Sequence, residues 1–524
     1  MSVGPASLCD ERCRQSVAIE PGDGCMTDAV APAAAGPAAT AGRPPITLTT
    51  KLFYGFGSIA YGVKDNGFRV FLLLFYNQVV GLSAPLVSSA ILLAMLIDCA
   101  IDPVIGQISD NWRSKWGRRH PFMYASAIPA AASFLLLWNP PYEWSHEALF
   151  WYLVGTAVLV RTFITLYEIP SSSLGAELTL DYDERTSLLG FRYFFAYWGG
   201  LTLIILNLLF FLQPTEEYPV GQLNRDGYSN WGYVAAVVMF LSIIVSALGT
   251  HKFIPYLAKP IGEASHSVVR QIKEMGEALS NRSFVIITFV GLFAAVAQGT
   301  AFSLAFYFST YFWQLSPEGT AILTADAYIS SAVALAAAPY LAKRSGKKLA
   351  GSILLATSVF IGFLPMMLRL VGFFPDNGSD WLVPLLFFDG LIRGSFGITA
   401  AILITAMLTD VVEDAAVKTG RRSEGLFFAF TSLIQKAVSG VGVMVAGAVL
   451  SIISFPVGAK PAEVDPEIIR NLALVYIPVL AGLYGLAVAI LQGYGITRER
   501  HAENLRLLKL QAQVAEQAGS PRYP

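Results

Sequence analysis

Twelve apolar runs, each of about twenty residues or more, divide most of this chain, and that length is what a helix needs to cross the hydrocarbon of a bilayer. They fall at roughly 52–79, 85–109, 121–139, 148–176, 188–212, 230–250, 283–312, 320–342, 349–371, 382–409, 424–454 and 471–494. No water reaches backbone N–H and C=O groups in lipid, so such runs must satisfy them internally, as helices. Composition agrees. Hydrophobic residues make up 54% of the chain and charged ones 14%, against about 25% charged in a soluble domain, and the mean hydropathy is +0.55. The expected fold class is an all-α integral membrane protein with twelve transmembrane helices.

Loop charge orients them. Loops after even-numbered runs hold Arg113, Lys115, Arg118 and Arg119, then Lys252, Lys259, Arg270 and Lys273, then Lys343, Arg344, Lys347 and Lys348, then Lys418, Arg421 and Arg422. The opposite loops carry little beyond Arg225 and Lys460. Cationic loops stay inside, which puts both termini in the cytoplasm and the chain in the plasma (inner) membrane. The net charge of −1 concentrates nothing for nucleic acid. Membrane lipid and a small molecule are the expected partners. Residues 1–46, rich in Ala, Pro and Gly, read as a disordered tail. No His or further Cys completes a metal site with its Cys9, Cys13 and Cys25. The longest interior linker, 251–282, separates a first six-helix bundle, 47–250, from a second, 283–497, and a polar cytoplasmic tail fills 498–524. Two such halves are a transporter's organisation. No nucleotide-binding motif, His/Cys cluster or Ser–His constellation suggests an enzyme or a cofactor.

The stretch "LIDCAIDPVIG" places Asp98 and Asp102 in the second run, where no Lys or Arg occurs from Val70 to Asn111. Four residues apart, the two carboxylates share a helix face about 6 Å apart. A mid-membrane Asp costs about 3 kcal/mol to insert, so it is functional by default. Two carboxylates in low dielectric cannot both ionise cheaply, so a proton or a small cation must accompany them.

After the second run comes "GQISDNWRSKWGRRHPF". Gly106, Asp110, Gly117, Arg118 and Arg119 in it resemble the loop signature of the major facilitator superfamily. Asp110 at a helix end can pair with a basic residue and with the positive N-terminus of a neighbouring helix, latching the inner face. "TTKLFYGFGSIAYGVKDNGFRVFLLLFYNQVVGL", "IDCAIDPVIGQISDNWRSKWGRRHPF", "YEIPSSSLGAELTLDYDERTSLLGFRYFF" and "MLTDVVEDAAVKTGRRSEGLFFAFTSLIQKAVSG" extend the likeness. In this order they resemble the glycoside–pentoside–hexuronide:cation symporters, of the melibiose-permease type, over nearly the whole chain after residue 48.

That resemblance implies a cation-coupled symporter with two pseudo-symmetric bundles, working as a monomer. It implies a cation site at Asp98 and Asp102, with Thr165 on the fourth span and Lys436 on the eleventh. Two Asp and one Lys sum to −1, and one co-transported Na⁺ or H⁺ brings the cluster to zero. Ile101 replaces a polar amide of the prototype, which tilts the expectation toward H⁺. The resemblance places a sugar site near Glu168. Lys64, Asp65 and Arg192 are its expected neighbours, and Asp389 with Arg393 either lines the cavity or clamps the tenth span. The prototype's acidic ligand on the first span aligns with Gly62, and its stacking Trp with Ser172. Tyr307, Tyr311 and Trp313 are the aromatics offered instead. Asp181, Glu184 and Arg185 fall at the expected inner gate. A lysolipid carried by the same mechanism is the alternative substrate.

Overall fold

The computed structural model describes residues 44–179, 181–257, 281–419 and 424–517, and among them the regular elements are helices. The first span, 48–79, is a broken series: Leu48–Phe56, Ser58–Asn66, and π-helical turns at Gly67–Phe71 and Phe75–Val79 around Leu72–Leu74. We call it α1. There follow α2 (Ala84–Asn111), α3 (His120–Leu137), α4 (His146–Leu178), α5 (Tyr182–Leu206), α6 (Arg225–His251), α7 (Arg282–Tyr307), α8 (Pro317–Ser345), α9 (Lys347–Leu370), α10 (Leu382–Thr419), α11 (Glu424–Ile452) and α12 (Pro466–Leu491). Among the described residues, eleven helices are long and apolar enough to cross a membrane. The expected twelfth is α1, interrupted at Gly57. Caps set the boundaries: Ser145, Asn224 and Ser316 accept backbone N–H bonds at the starts of α4, α6 and α8, satisfying donors that a helix start leaves free.

The helices pack in two sets with the same internal pairing. In the first set α1 lies against α5 and α6, α2 against α4, and α3 against α4 and α6. In the second, α7 lies against α11 and α12, α8 against α10, and α9 against α10 and α12. Adding six to each number in the first set gives the second. Across the halves α2 meets α11, α5 meets α8 and α1 meets α7. This is the major facilitator arrangement. The linker expected at 251–282 lies mostly outside the described residues, as do Lys418, Arg421 and Arg422 as side chains.

One end between the halves is sealed, and the π turns build the seal. The turn Phe75–Val79 presents Asn77 and Gln78, and its counterpart Phe308–Phe312 at the end of α7 presents Tyr311. The Tyr307 hydroxyl donates to Asn77 Oδ1 at 2.7 Å. The Tyr311 hydroxyl lies 3.0 Å from Gln78 Oε1 and 2.9 Å from the Ala459 carbonyl, and Gln78 Nε2 donates to the Pro456 carbonyl at 3.0 Å. All four side chains are buried. Of the aromatics offered as a sugar platform, Tyr307 and Tyr311 are therefore seal residues near the far end of α7, and Trp313 packs on Phe374.

At the opposite end, Gly117 turns the α2–α3 loop with φ +74°, a conformation that side chains resist. The polar C-terminal stretch is a helix, α13 (Arg498–Gln517). It docks on the end of α10: Arg500 and Asn504 both donate to Asp414 at 3.2 Å, and His501 Nδ1 lies 3.1 Å from Glu413 and 3.4 Å from Asp410.

Glycines bring α1 against α5. A Cβ on Gly200 would lie 2.7 Å from the Gly62 carbonyl oxygen, and one on Gly62 would collide with the Ala196 carbonyl. No acidic side chain fits at position 62, which explains the departure from the symporter pattern there. Gly62→Val should destabilise the protein by about 1–3 kcal/mol through overpacking. The check is thermal unfolding in detergent. An unchanged midpoint would mean that α1 and α5 do not touch.

Candidate functional site

A charged cluster lies where α2, α4 and α11 meet. Lys436 Nζ on α11 lies 2.6 Å from Asp98 Oδ2 and 2.5 Å from Asp102 Oδ2. Thr165 Oγ1 on α4 lies 3.1 Å from Asp98 Oδ1 and 3.0 Å from Asp102 Oδ1. Helical spacing on α2 puts both carboxylates on one face, and Lys436 bridges them from the other half. Of the four residues expected to form a cation site, the two aspartates thus each contact both Thr165 and Lys436.

A fifth residue joins them that sequence reasoning missed. Arg161 Nε donates to Asp98 Oδ2 at 3.0 Å, and its Nη2 lies 2.9 Å from the same oxygen. Both side chains are almost wholly buried, Arg161 at 5% and Asp98 at 2% exposure, whereas Asp102 is 23% and Lys436 28% exposed. The guanidinium also stands 5.5 Å from the Phe68 ring of α1. Arginine stays charged in proteins, so the charge count changes. Asp98 and Asp102 against Arg161 and Lys436 give −2 + 2 = 0, not −1. With Lys436 in place the cluster is already balanced. A signal was available: 161, 165 and 168 are spaced to share one face of α4.

The second polar centre lies farther along the same helix. Glu168 Oε1 pairs with Arg192 Nη2 at 2.5 Å. Arg192 also donates to Ser171 Oγ at 3.0 Å and to the Glu168 carbonyl at 3.3 Å, with Tyr54 beneath it. At 7% exposure Arg192 is no interfacial snorkeller. Glu168 Oε2 is buried and, among the described residues, accepts no hydrogen bond. On α1, Lys64 is buried, 4.0 Å from Asp65 and 4.3 Å from the Tyr61 ring. Asp65 pairs instead with Arg69 at 3.1 Å. Among the described residues no ion pair joins Lys64 to Asp98 or Asp102.

Ser172 is exposed and lines a cavity of about 470 Å³ with Arg118, Arg119, Ser173, Ala176, Glu177 and Arg185. The signature loop borders that cavity. Arg119 pairs with Asp110, reaches Glu177 at 3.1 Å and donates to Ser109 Oγ at 3.1 Å. Arg118 reaches Glu177 at 2.6 Å. These ion pairs join α2, its loop and Glu177 near the end of α4. Gly106 has no close neighbour that demands a glycine. At the expected inner gate, Asp181 caps α5 by accepting from the Glu184 backbone at 2.8 Å, and Glu184 pairs with Lys51 at 2.9 Å.

Asp389 and Arg393 lie 3.7 Å apart on α10, with Arg393 51% exposed. Asp326 of α8, unforeseen, lies within electrostatic reach of both, and its carboxylate fills the space beside Gly390. Among the described residues, no hydrogen bond or ion pair joins Asp389 or Arg393 to Glu168 or Arg192.

Two half-bundles around buried, compensated charge define a secondary membrane transporter of the major facilitator type, not an enzyme. Residues 53–498 match the family described as MFS/sugar transport protein, and the chain belongs to that family, among its glycoside–pentoside–hexuronide:cation symporters. Similar proteins include the uncharacterized symporter sll1374 of Synechocystis sp., 26% identical over 89% of this chain and 97% of that one. The isoprimeverose transporter of Lactiplantibacillus pentosus is 24% identical over 88% and 91%. The lactose permease of Lactobacillus helveticus is 25% identical over 86% and 70%. Among solved structures, a bacterial homologue of the lysosomal transporter Spinster superposes with a TM-score of 0.56 at 16% identity, covering 86% of this chain and 98% of that one. A variant of the nucleoside transporter NupG gives 0.57 at 14% identity, covering 84% and 99%.

Removing one partner of a buried ion pair costs about 3–5 kcal/mol, because the other is left uncompensated. Glu168→Gln and Arg192→Gln should each lower the thermal midpoint in detergent, and the double variant should recover part of the loss. Strictly additive losses would show that the two side chains do not depend on each other.

Proposed function

We propose that this protein is a cation-coupled symporter that moves a sugar or glycoside across the plasma (inner) membrane by alternating access, with both termini cytoplasmic and the monomer as its working unit. Lys436 carries the reading. It comes from the second half, yet it supplies the counter-charge for two carboxylates of the first. When the halves part at this level the lysine leaves, and buried negative charge must be matched from solution by H⁺ or Na⁺. Binding that cation is thereby tied to the rearrangement that exposes the solute site.

Asp98, Asp102, Thr165 and Lys436 form the coupling centre in this reading. Glu168 and Arg192 form the solute centre, with Glu168 three residues beyond Thr165 on α4, flanked by Lys64, Asp65 and Ser172. A carboxylate oxygen without a donor beside a guanidinium suits vicinal hydroxyls, which accept from one and donate to the other. The relatives named for isoprimeverose and lactose support a sugar. They lend no support to a lysolipid. Asp389 and Arg393 serve as a clamp within α10 that brings one cavity wall into register. The bundles 47–250 and 283–497 rock about the centre, the Asn77–Tyr307 seal closes the outer face, and the Gly106–Arg119 loop governs the inner one. Coupling needs no cofactor.

The test is uptake into proteoliposomes under imposed pH or Na⁺ gradients, with labelled isoprimeverose and lactose as probes. The wild type should accumulate one of them above equilibrium. Asp102→Asn should abolish accumulation while leaving sugar counterflow, which needs no net cation movement. Undiminished accumulation by Asp102→Asn would overturn the assignment.

A further inference from the structure

We infer that Arg161 is a built-in cation that reserves Asp98 and keeps sodium out of the centre, leaving Asp102 as the one carboxylate open to the coupling ion. The inference rests on the coupling reading above and divides labour within it.

Two observations separate the carboxylates. Arg161 and Asp98 lie on α4 and α2, which pack together inside one half, so rigid-body motion of the halves carries both along. Lys436 lies on α11, in the other half, and its contacts are the ones such motion breaks. Asp98 therefore keeps a positive partner in every state, held by two N–H groups on one oxygen. Asp102 has Lys436 and the Thr165 hydroxyl, and Arg161 does not reach it by any hydrogen bond or ion pair among the described residues. Parting the halves leaves one unmatched carboxylate, not two.

The same geometry disfavours a metal cation. Hard cations gather several oxygen ligands. Asp98 Oδ2 already accepts from Arg161 and Lys436, and Asp98 Oδ1 faces the Thr165 hydroxyl. Ile101 brings no oxygen between the two aspartates. The positive groups in contact with the centre are Arg161 from α4 and Lys436 from α11, and each repels a further metal ion. Arg161 is the one that neither moves away with the other half nor loses its proton. It is thus the specificity-determining residue.

The test is binding of radioactive sodium to the purified full-length chain, measured without any sugar. The wild type and Arg161→Lys should show no saturable binding. Arg161→Gln should bind sodium saturably, with an affinity raised roughly ten-fold or more into the measurable range, a ratio ordinary for coupling between sites. Saturable sodium binding by the wild type, or Arg161→Gln as indifferent as the wild type, would overturn the inference. If Arg161→Gln fails to fold, the pair itself is probed: Asp98→Asn should lower the thermal midpoint and Asp98→Asn with Arg161→Gln should restore it. An Asp98→Asn protein as stable as the wild type would contradict a fixed pair. The sugar reading fails separately, in the accumulation assay with Asp102→Asn.

Discussion

Everything in this fold is arranged around one interaction, the Lys436 ammonium on the two aspartates of α2. Buried carboxylates are tolerable only when matched. Here the matching charge comes from a helix that belongs to the other half of the molecule. The contact is therefore both a stabilising interaction and a report on how the halves sit. A surface pair of the same length would be worth about 0–1 kcal/mol. In a centre this sheltered, losing the partner without replacement is far more costly, and that cost is what ties a conformational change to a cation.

The rest of the structure makes the contact breakable. Repeated pairing, α1 with α5 and α7 with α11, keeps each half a unit, so motion concentrates between them. The seal around Asn77, Gln78, Tyr307 and Tyr311 consists of hydrogen bonds between neutral groups. Each contributes only about 1 kcal/mol net, few enough to be exchanged in a cycle. The Arg118–Arg119–Glu177 network lies at the opposite end, on one half. Between them Glu168, paired with Arg192 of α5, shares α4 with Thr165 and Arg161, so in the proposed function solute and cation act on one rigid rod.

Much of this was legible in the sequence. Membrane-length runs gave the spans, because hydropathy over twenty residues leaves few alternatives in lipid. Asp98 and Asp102 were visible as charged residues in an apolar run, and the family resemblance supplied Thr165 and Lys436. Arg161 escaped because a single Arg inside a long run reads as topology noise until its face is compared with Thr165 and Glu168. Glu177 escaped because its partners lie about sixty positions away, and no periodicity encodes such a pairing. Tyr307 and Tyr311 were misassigned through depth along α7, which sequence spacing does not report. The break in α1 is a matter of packing: Gly57 and Gly62 let the helix approach its neighbours at the expense of regularity.

Cation-to-sugar stoichiometry tests the account most directly. The membrane potential that just halts net sugar flux in proteoliposomes, taken at several cation ratios, gives the number of charges moved per sugar. One unmatched carboxylate requires one cation per sugar. A ratio of two would mean that both aspartates are open to solution, and a ratio of zero that the lysine is never replaced; either would contradict the account.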